Sequence, residues 1–262
     1  MPLRIRPARP EDYPCFVRWF PMLESGDRTP TLERWSSAIV PETIIAELDG
    51  APAGYCRAQV FGLDGYVRHL VVEPSLRRSG AGRAMLERVQ ASMRSQGCER
   101  WRINVKPDNV PAVRLYTSLG MTVQHACASI RFEWTLLDAL PKPSGTLSIV
   151  EPDDEQRRTL ESTYGLPMGQ LATADGRDDA HVRAVFGADL QGVALFDAAF
   201  PGAFPFRADS LDAAMTLLHG LRPLATQASM GIVAEDDDAL DRLLVDAGAR
   251  VPFRFVHMRG RL

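Results

Sequence analysis

Lysine is almost missing from this chain. Among 30 Lys and Arg residues only Lys106 and Lys142 are lysine, a bias that carries no functional inference. Cysteine is scarce as well. Cys15, Cys56, Cys98 and Cys127 lie tens of residues apart with no CxxC pair, so buried thiols are expected rather than a disulfide framework. The five histidines are equally dispersed, which argues against a zinc site. No apolar run approaches the roughly 18 residues of a membrane span, and the opening Met1-Pro2-Leu3-Arg4-Ile5-Arg6 has no secretory character. A cytoplasmic protein is therefore expected. Charge of either sign is also lacking in excess: the net value of −3 offers nothing global to nucleic acid or to an acidic membrane face. What is present is an ordinary globular balance, 45% hydrophobic and 24% charged, which excludes disordered and collagen-like chains. The length of 262 residues falls between one large domain and two small ones.

Periodicity orders the first half. Leu3-Arg4-Ile5-Arg6 alternates as a half-buried strand does, and Pro10-Glu11-Asp12 suits the first turn of a helix that continues through Phe16, Val17, Trp19 and Phe20. Thr43–Leu48, the turn Asp49-Gly50, and Gly54–Phe61 read as a hairpin, with a third strand at Tyr66–Val72. Met85, Leu86, Val89 and Met93 then recur at helical spacing up to Gly97. Arg102–Val105 is a short strand. Asn109 and Pro111 open a helix through Tyr116 that Gly120 ends, and two β-rich stretches are expected between Thr122 and about Leu136. The order is that of a mixed α/β (α+β) layer fold. Leu140-Pro-Lys-Pro-Ser-Gly145 reads as an interdomain connection.

The most informative segment runs from Val72 to Leu86. A strand ends at a proline, and a basic loop with two glycines opens directly into a helix. Glycines let backbone N–H groups turn inward without a Cβ clash, and the helix N-terminus adds partial positive charge; together they cradle phosphate. Arg77, Arg78 and Arg83 add full charges. The loop is neither Walker A nor GxGxxG, and taken alone it is equally a solvated turn with a helix cap.

Its context resembles the GNAT superfamily of acetyl-CoA-dependent N-acetyltransferases. That family's Val-x-Pro followed by Arg/Gln-x-x-Gly-x-Gly/Ala is matched by Val72, Pro74, Arg77, Gly80 and Gly82. Its second hallmark is matched by Val105, Asn109, Ala112, Leu115-Tyr116 and Gly120-Met121. Ile5-Arg6-Pro7-Ala8 with Asp12, and Asp49-Gly50 followed by Gly54, are similar to the family too, and the likeness covers about residues 3–137.

The resemblance implies the acyl-CoA N-acyltransferase fold, a mixed central sheet flanked by helices, with acetyl-CoA as cosubstrate, an amine acceptor that is a small molecule or peptide, and no metal. It places the backbone of Leu70, Val71 and Val72 beside the pantetheine arm and acetyl carbonyl. The pyrophosphate then falls on Arg77 and the amides of Arg78, Ser79, Gly80, Ala81, Gly82 and Arg83. Asn109 either reaches the pantetheine or caps its helix, and Tyr116 is the general acid for the departing thiolate. The general base stays open. Tyr66 stands where well-known members carry a carboxylate, and Asp64 and His69 are near enough to act through water. A non-catalytic acyl-CoA sensor on the same fold is the alternative function.

Shifting the numbering by 128 maps Val105 to Val233, Asn109 to Asp237, Leu115 to Leu243 and Gly120 to Gly248. It also sets Val193–Phe196 near the Val67–Leu70 strand. A duplicated, degenerate second unit follows, in which Arg77 maps to Pro205, Gly80 to Ala208, Gly82 to Ser210 and Tyr116 to Leu244. The expected organisation is an intact domain at 1–138, a linker at 139–146, and a non-catalytic domain at 147–262. Glu235-Asp-Asp-Asp238 reads as acids at a helix N-terminus rather than a metal site.

Overall fold

The alternating residues at the start form the edge strand β1 (Leu3–Pro7) in the computed structural model, which describes residues 2–262. The chain forms two compact units, one of residues through Gln124 together with His257–Leu262, the other His125–Val256.

In the first unit α1 (Tyr13–Trp19) follows a short 3-10 turn, and α2 (Leu32–Arg34) runs on into a single π turn at Trp35–Ile39. The strands β2 (Thr43–Leu48), β3 (Ala51–Phe61) and β4 (Asp64–Val72) pair antiparallel in sequence order after β1. Helix α3 (Ala81–Ser95) then crosses to β5 (Arg100–Val105), which lies parallel to β4 and leads to α4 (Val110–Ser118).

The aromatic cluster under α1 carries much of the burial. Trp19 and Trp35 are fully enclosed, Phe16 stacks on Trp35 at 4.4 Å between centroids, and Trp19 stacks on Tyr55 at 6.0 Å. Removing each tryptophan from water contributes about 4–6 kcal/mol of transfer free energy.

Asp12 shows how the first turn is fixed. Both its oxygens accept from Arg6 at 2.8 Å, and one also accepts the Arg9 N–H at 2.8 Å. Burial pushes this carboxyl's pKa up, yet the Arg6 and Arg9 hydrogen bonds outweigh it and hold the group below its ordinary value. A depressed folded-state pKa contributes stability above the ordinary carboxylate pKa that is lost as pH falls beneath it. Thermal unfolding followed against pH is expected to show Asp12→Asn about 1–3 kcal/mol less stable at neutral pH, with the difference shrinking toward pH 3.

The strand β6 (Thr122–Glu133) is a single continuous element, where two β-rich stretches were expected. A 3-10 turn at Trp134–Ala139 follows, because Trp134, Leu137 and Leu140 turn inward into the second unit's core. The second unit continues with β7 (Ser148–Val150), α5 (Asp154–Thr163), β8 (Ala180–Phe186), β9 (Leu190–Asp197) and β10 (Gly202–Ala208). Then come α6 (Leu211–Leu221), β11 (Ser229–Glu235), α7 (Asp238–Asp246) and β12 (Arg250–Arg261).

The two units repeat one plan. Three antiparallel steps, β1 to β4 or β7 to β10, precede one parallel step, β4 to β5 or β10 to β11, with α3 or α6 crossing between. Next to β5 stands the end of β12, and next to β11 stands β6. The first unit is thus completed by residues that follow the second in sequence, whereas the second is contiguous and begins with β6. The boundary accordingly falls at 124/125 and 256/257 and not near residue 140. The stretch read as a linker lies inside the second unit, with Leu140 buried and the Ser144 N–H and hydroxyl donating to Asp212 at 2.7 and 2.6 Å.

The repeat also corrects the ungapped alignment. Val193–Phe196 lies in β9, the counterpart of β3, while β10 is the counterpart of β4. Pro205 therefore sits in a strand. The connection matching the glycine-rich loop is only Asp209-Ser210, shorter than the Glu73–Gly80 segment before α3, which is what shifted the register.

Candidate active site

A β-bulge creates the opening in the first unit. The β3–β4 register pairs Ala58 with Val67 and Arg57 with His69, so Arg68 is an extra residue. The β4–β5 pairing begins at Asp64–Arg100 and stops at Val67–Ile103, just before that bulge. A bulge bends and twists its strand, so β4 turns away from β5 from Arg68 onward. His69 to Val72 keep β3 on one side, and past Val67 the other backbone edge faces a gap.

The bulge also resets which face each side chain takes. Leu70 and Val72 point toward the helices: a Cβ on Gly82 would lie 3.6 Å from both Val72 Cγ2 and Leu115 Cδ2, and 4.0 Å from Leu70 Cδ2. His69 takes the opposite face, at 5.6 Å from the Phe20 ring and 5.9 Å from the Tyr55 ring. Gly54 allows the bend. A Cβ there would meet the Val71 carbonyl oxygen at 2.2 Å, and that atom is backbone that cannot yield. Gly54→Ala is expected to cost about 1–3 kcal/mol or more in denaturant unfolding.

The loop beyond β4 closes one end of the gap. Arg78 and Gly80 adopt left-handed backbone conformations, φ +66° and +89°, which turn the chain into α3. The first intrahelical bond runs from the Ala84 N–H to the Gly80 carbonyl at 3.0 Å, leaving earlier amides aimed outward. The Ser79 hydroxyl accepts from Ala81 N–H at 3.4 Å. Arg77 and Arg78 are exposed, and the exposed Arg83 donates to the Ser118 hydroxyl at 2.7 Å, tying α3 to α4. Asn109 caps α4, accepting the Ala112 N–H at 3.3 Å.

Tyr116 is buried on α4, and burial, reinforced by the nearby Cys56, pushes its hydroxyl far above the ordinary phenol range. It is protonated at any physiological pH and so is a donor. Cys56 is directly opposite Leu70 in the β3–β4 ladder, and burial pushes its thiol up to about 12, so it is no competing nucleophile.

The three base candidates separate clearly. Asp64 is enclosed and bound by Arg100 and Arg102 at 2.8 and 2.9 Å, so it is occupied. Tyr66 is buried beneath the Arg68 guanidinium, 4.8 Å from the ring centroid, and meets His257 edge-on. His69 is held well below its ordinary pKa by burial, with Arg57 and Arg68 adding repulsion, and stays neutral. Its Nδ1 lies 3.3 Å from the Tyr55 hydroxyl. Sequence reasoning missed Cys56, Tyr55 and the pair His257 Nδ1 to Asn104 Oδ1 at 2.8 Å, since no local pattern links residues 153 positions apart.

The profile of the acetyltransferase (GNAT) family matches residues 8–121, which spans β4, the loop, α3 and α4. That stretch, 114 of the 262 residues, is similar to the family. The GNAT fold extends over the rest of the chain. A GCN5-related N-acetyltransferase from Sphaerobacter thermophilus superposes with a TM-score of 0.68 at 16% identity, covering 99% of this chain and 95% of that one. A tandem GNAT protein from the clavulanic acid biosynthesis pathway superposes with a TM-score of 0.57 at 16% identity, covering 99% and 98%. The chain therefore has the fold of a tandem GNAT protein, with the acetyltransferase family match lying in its first unit. No helix among the described residues is long and apolar enough to cross a membrane.

Proposed function

We propose that the first unit transfers the acetyl group of acetyl-CoA to a primary amine by direct attack in a ternary complex. The observation that carries this reading is the gap opened where β4–β5 pairing stops at Val67–Ile103, with a glycine-bearing basic loop at its end and a protonated Tyr116 on its flank. In the gap, the backbone of Leu70, Val71 and Val72 holds the pantetheine arm as a strand would. The amides from Arg78 to Arg83, with the Arg77 side chain, take the pyrophosphate. Asn109 supports α4 as its cap. The amine nitrogen attacks the thioester carbonyl, the C–S bond breaks, and the departing sulfur takes the Tyr116 proton. The ammonium proton leaves toward His69 through water, because His69 alone of the three candidates is present in accepting form and uncommitted to an arginine.

The second unit serves as a non-catalytic partner. Its counterpart loop is a two-residue turn, and a cleft of about 300 Å³ at that place is lined by Asp209, Glu235, Asp236 and Asp237 with Arg207 as the basic residue. Such a lining repels a pyrophosphate. Leu244 stands where Tyr116 does in the first unit.

Thiol release from acetyl-CoA, measured against a panel of small amines and peptide N-termini, tests the reading. Amine-dependent release is expected. Tight acetyl-CoA binding with no release for any amine would establish a sensor instead.

A further inference from the structure

The dispersion of histidine and cysteine along the sequence hides a ligand set that the second unit assembles. In the β6–β11 ladder Cys127 is directly opposite Glu235, so their side chains share a face. His125 is two residues before Cys127 and takes the same face. The His125 and Cys127 ligand atoms and a Glu235 carboxylate oxygen all lie within 4.8 Å of one another.

The geometry points to a divalent-metal site formed by His125, Cys127 and Glu235, with zinc as the ion its donors fit. A thiolate, an imidazole and a carboxylate together form the borderline-soft, three-residue set that leaves a fourth position open. Tetrahedral zinc holds such atoms about 3.5 Å apart, so the wider spacings close by up to about 1.3 Å while the His125–Glu235 pair opens slightly. His125 Nε2 and Glu235 Oε2 already stand 2.8 Å apart. The metal binds Nε2 of His125 in the Nδ1–H tautomer, and the Cys127 thiol proton passes to solvent as Zn–N, Zn–O and Zn–S bonds form.

The surrounding charges suit this exchange. Zn²⁺ with one thiolate and one carboxylate is neutral, so Arg207, which also pairs with Glu235, meets no net positive centre and orients the carboxylate from outside. Glu235 lines the cleft of about 300 Å³, which gives the ion its entry and its open position. The neighbouring acids are engaged elsewhere: Asp236 accepts the Ala126 N–H at 3.2 Å, and Asp237 caps α7 through the Leu240 N–H at 2.9 Å.

Titration of the untagged, reduced protein with Co²⁺ tests the site by absorbance. One equivalent is expected to bring up a thiolate-to-cobalt charge-transfer band with the visible bands of a tetrahedral ion, and Zn²⁺ is expected to displace both. Cys127→Ser is expected to remove the charge-transfer band, and Glu235→Gln to weaken Co²⁺ binding about 10–100-fold or more. Should a buried-strand variant fail to fold, the wild type gives a second readout. Saturating Zn²⁺ is expected to protect Cys127 from alkylation, mapped by peptide mass. Absence of the band, its persistence in Cys127→Ser, or unaltered alkylation of Cys127 under Zn²⁺ overturns the site.

Discussion

Gly82→Glu is expected to abolish acetyl-CoA binding while leaving the fold intact. Calorimetry is expected to show the dissociation constant raised at least about 100-fold, or about 2.7 kcal/mol. The direction follows from where the new side chain goes. A Cβ at residue 82 points toward Leu70, Val72 and Leu115, into the gap, at ordinary contact distances. An acid in the first turn of α3 suits the helix itself, because it complements the positive end. On the proposed reading that same position is where the pyrophosphate sits, so the substitution installs a competing anion without disturbing the scaffold. Gly82→Ala separates the two effects. A methyl group fits the available space and is expected to bind acetyl-CoA within a few-fold of wild type. Unchanged affinity in the glutamate variant would refute the assignment of the loop.

Tyr116→Phe is expected to lower turnover by about 10²–10⁴-fold with acetyl-CoA affinity unchanged. No hydrogen bond figures among the influences on the Tyr116 hydroxyl, whose proton is held by burial, so removing the oxygen leaves packing in place. The loss belongs to the step in which sulfur departs. Acyl-CoA thioesters with a more acidic thiol need less help from an acid, so the defect is expected to shrink with such leaving groups. Equal turnover for the two proteins would remove Tyr116 from the chemistry.

Much of the first unit was legible because its signals are local. Val72 to Gly82 carries a strand end, a turn and a helix start within one short stretch, and Asn109 does cap the helix bearing Tyr116. The bulge at Arg68 left no trace in the alternation of Tyr66–Val72. Nor does the alternation record that, farther along the same ladder, the missing Cβ of Gly54 accommodates the Val71 carbonyl. The boundary near residue 140 was misplaced for a similar reason. Two prolines, a serine and a glycine read as a loose connection, yet Leu140 and Ser144 are anchored by partners far along the chain, Ser144 by Asp212. Trp134 and Leu137 look the same in sequence whether they close one core or another. The His125, Cys127 and Glu235 grouping is likewise invisible to spacing, since 108 residues separate the last two, which the ladder then sets opposite each other.

The completion of the first unit by residues beyond the second has a consequence for synthesis. The residues that finish the first unit, His257–Leu262, are made only after the whole of the second unit, His125–Val256. Leu262 N–H bonds to the Glu99 carbonyl at 2.9 Å, and Gly260 packs so closely on Trp101 and the Gly120 carbonyl that no side chain fits. At about 5–20 residues per second, the translation of residues 125–256 imposes a delay of about 7–26 s between emergence of the first unit's earlier strands and arrival of their final neighbour. During that interval β5 presents a bare edge on the ribosome, and the first unit becomes whole only after the second has been made.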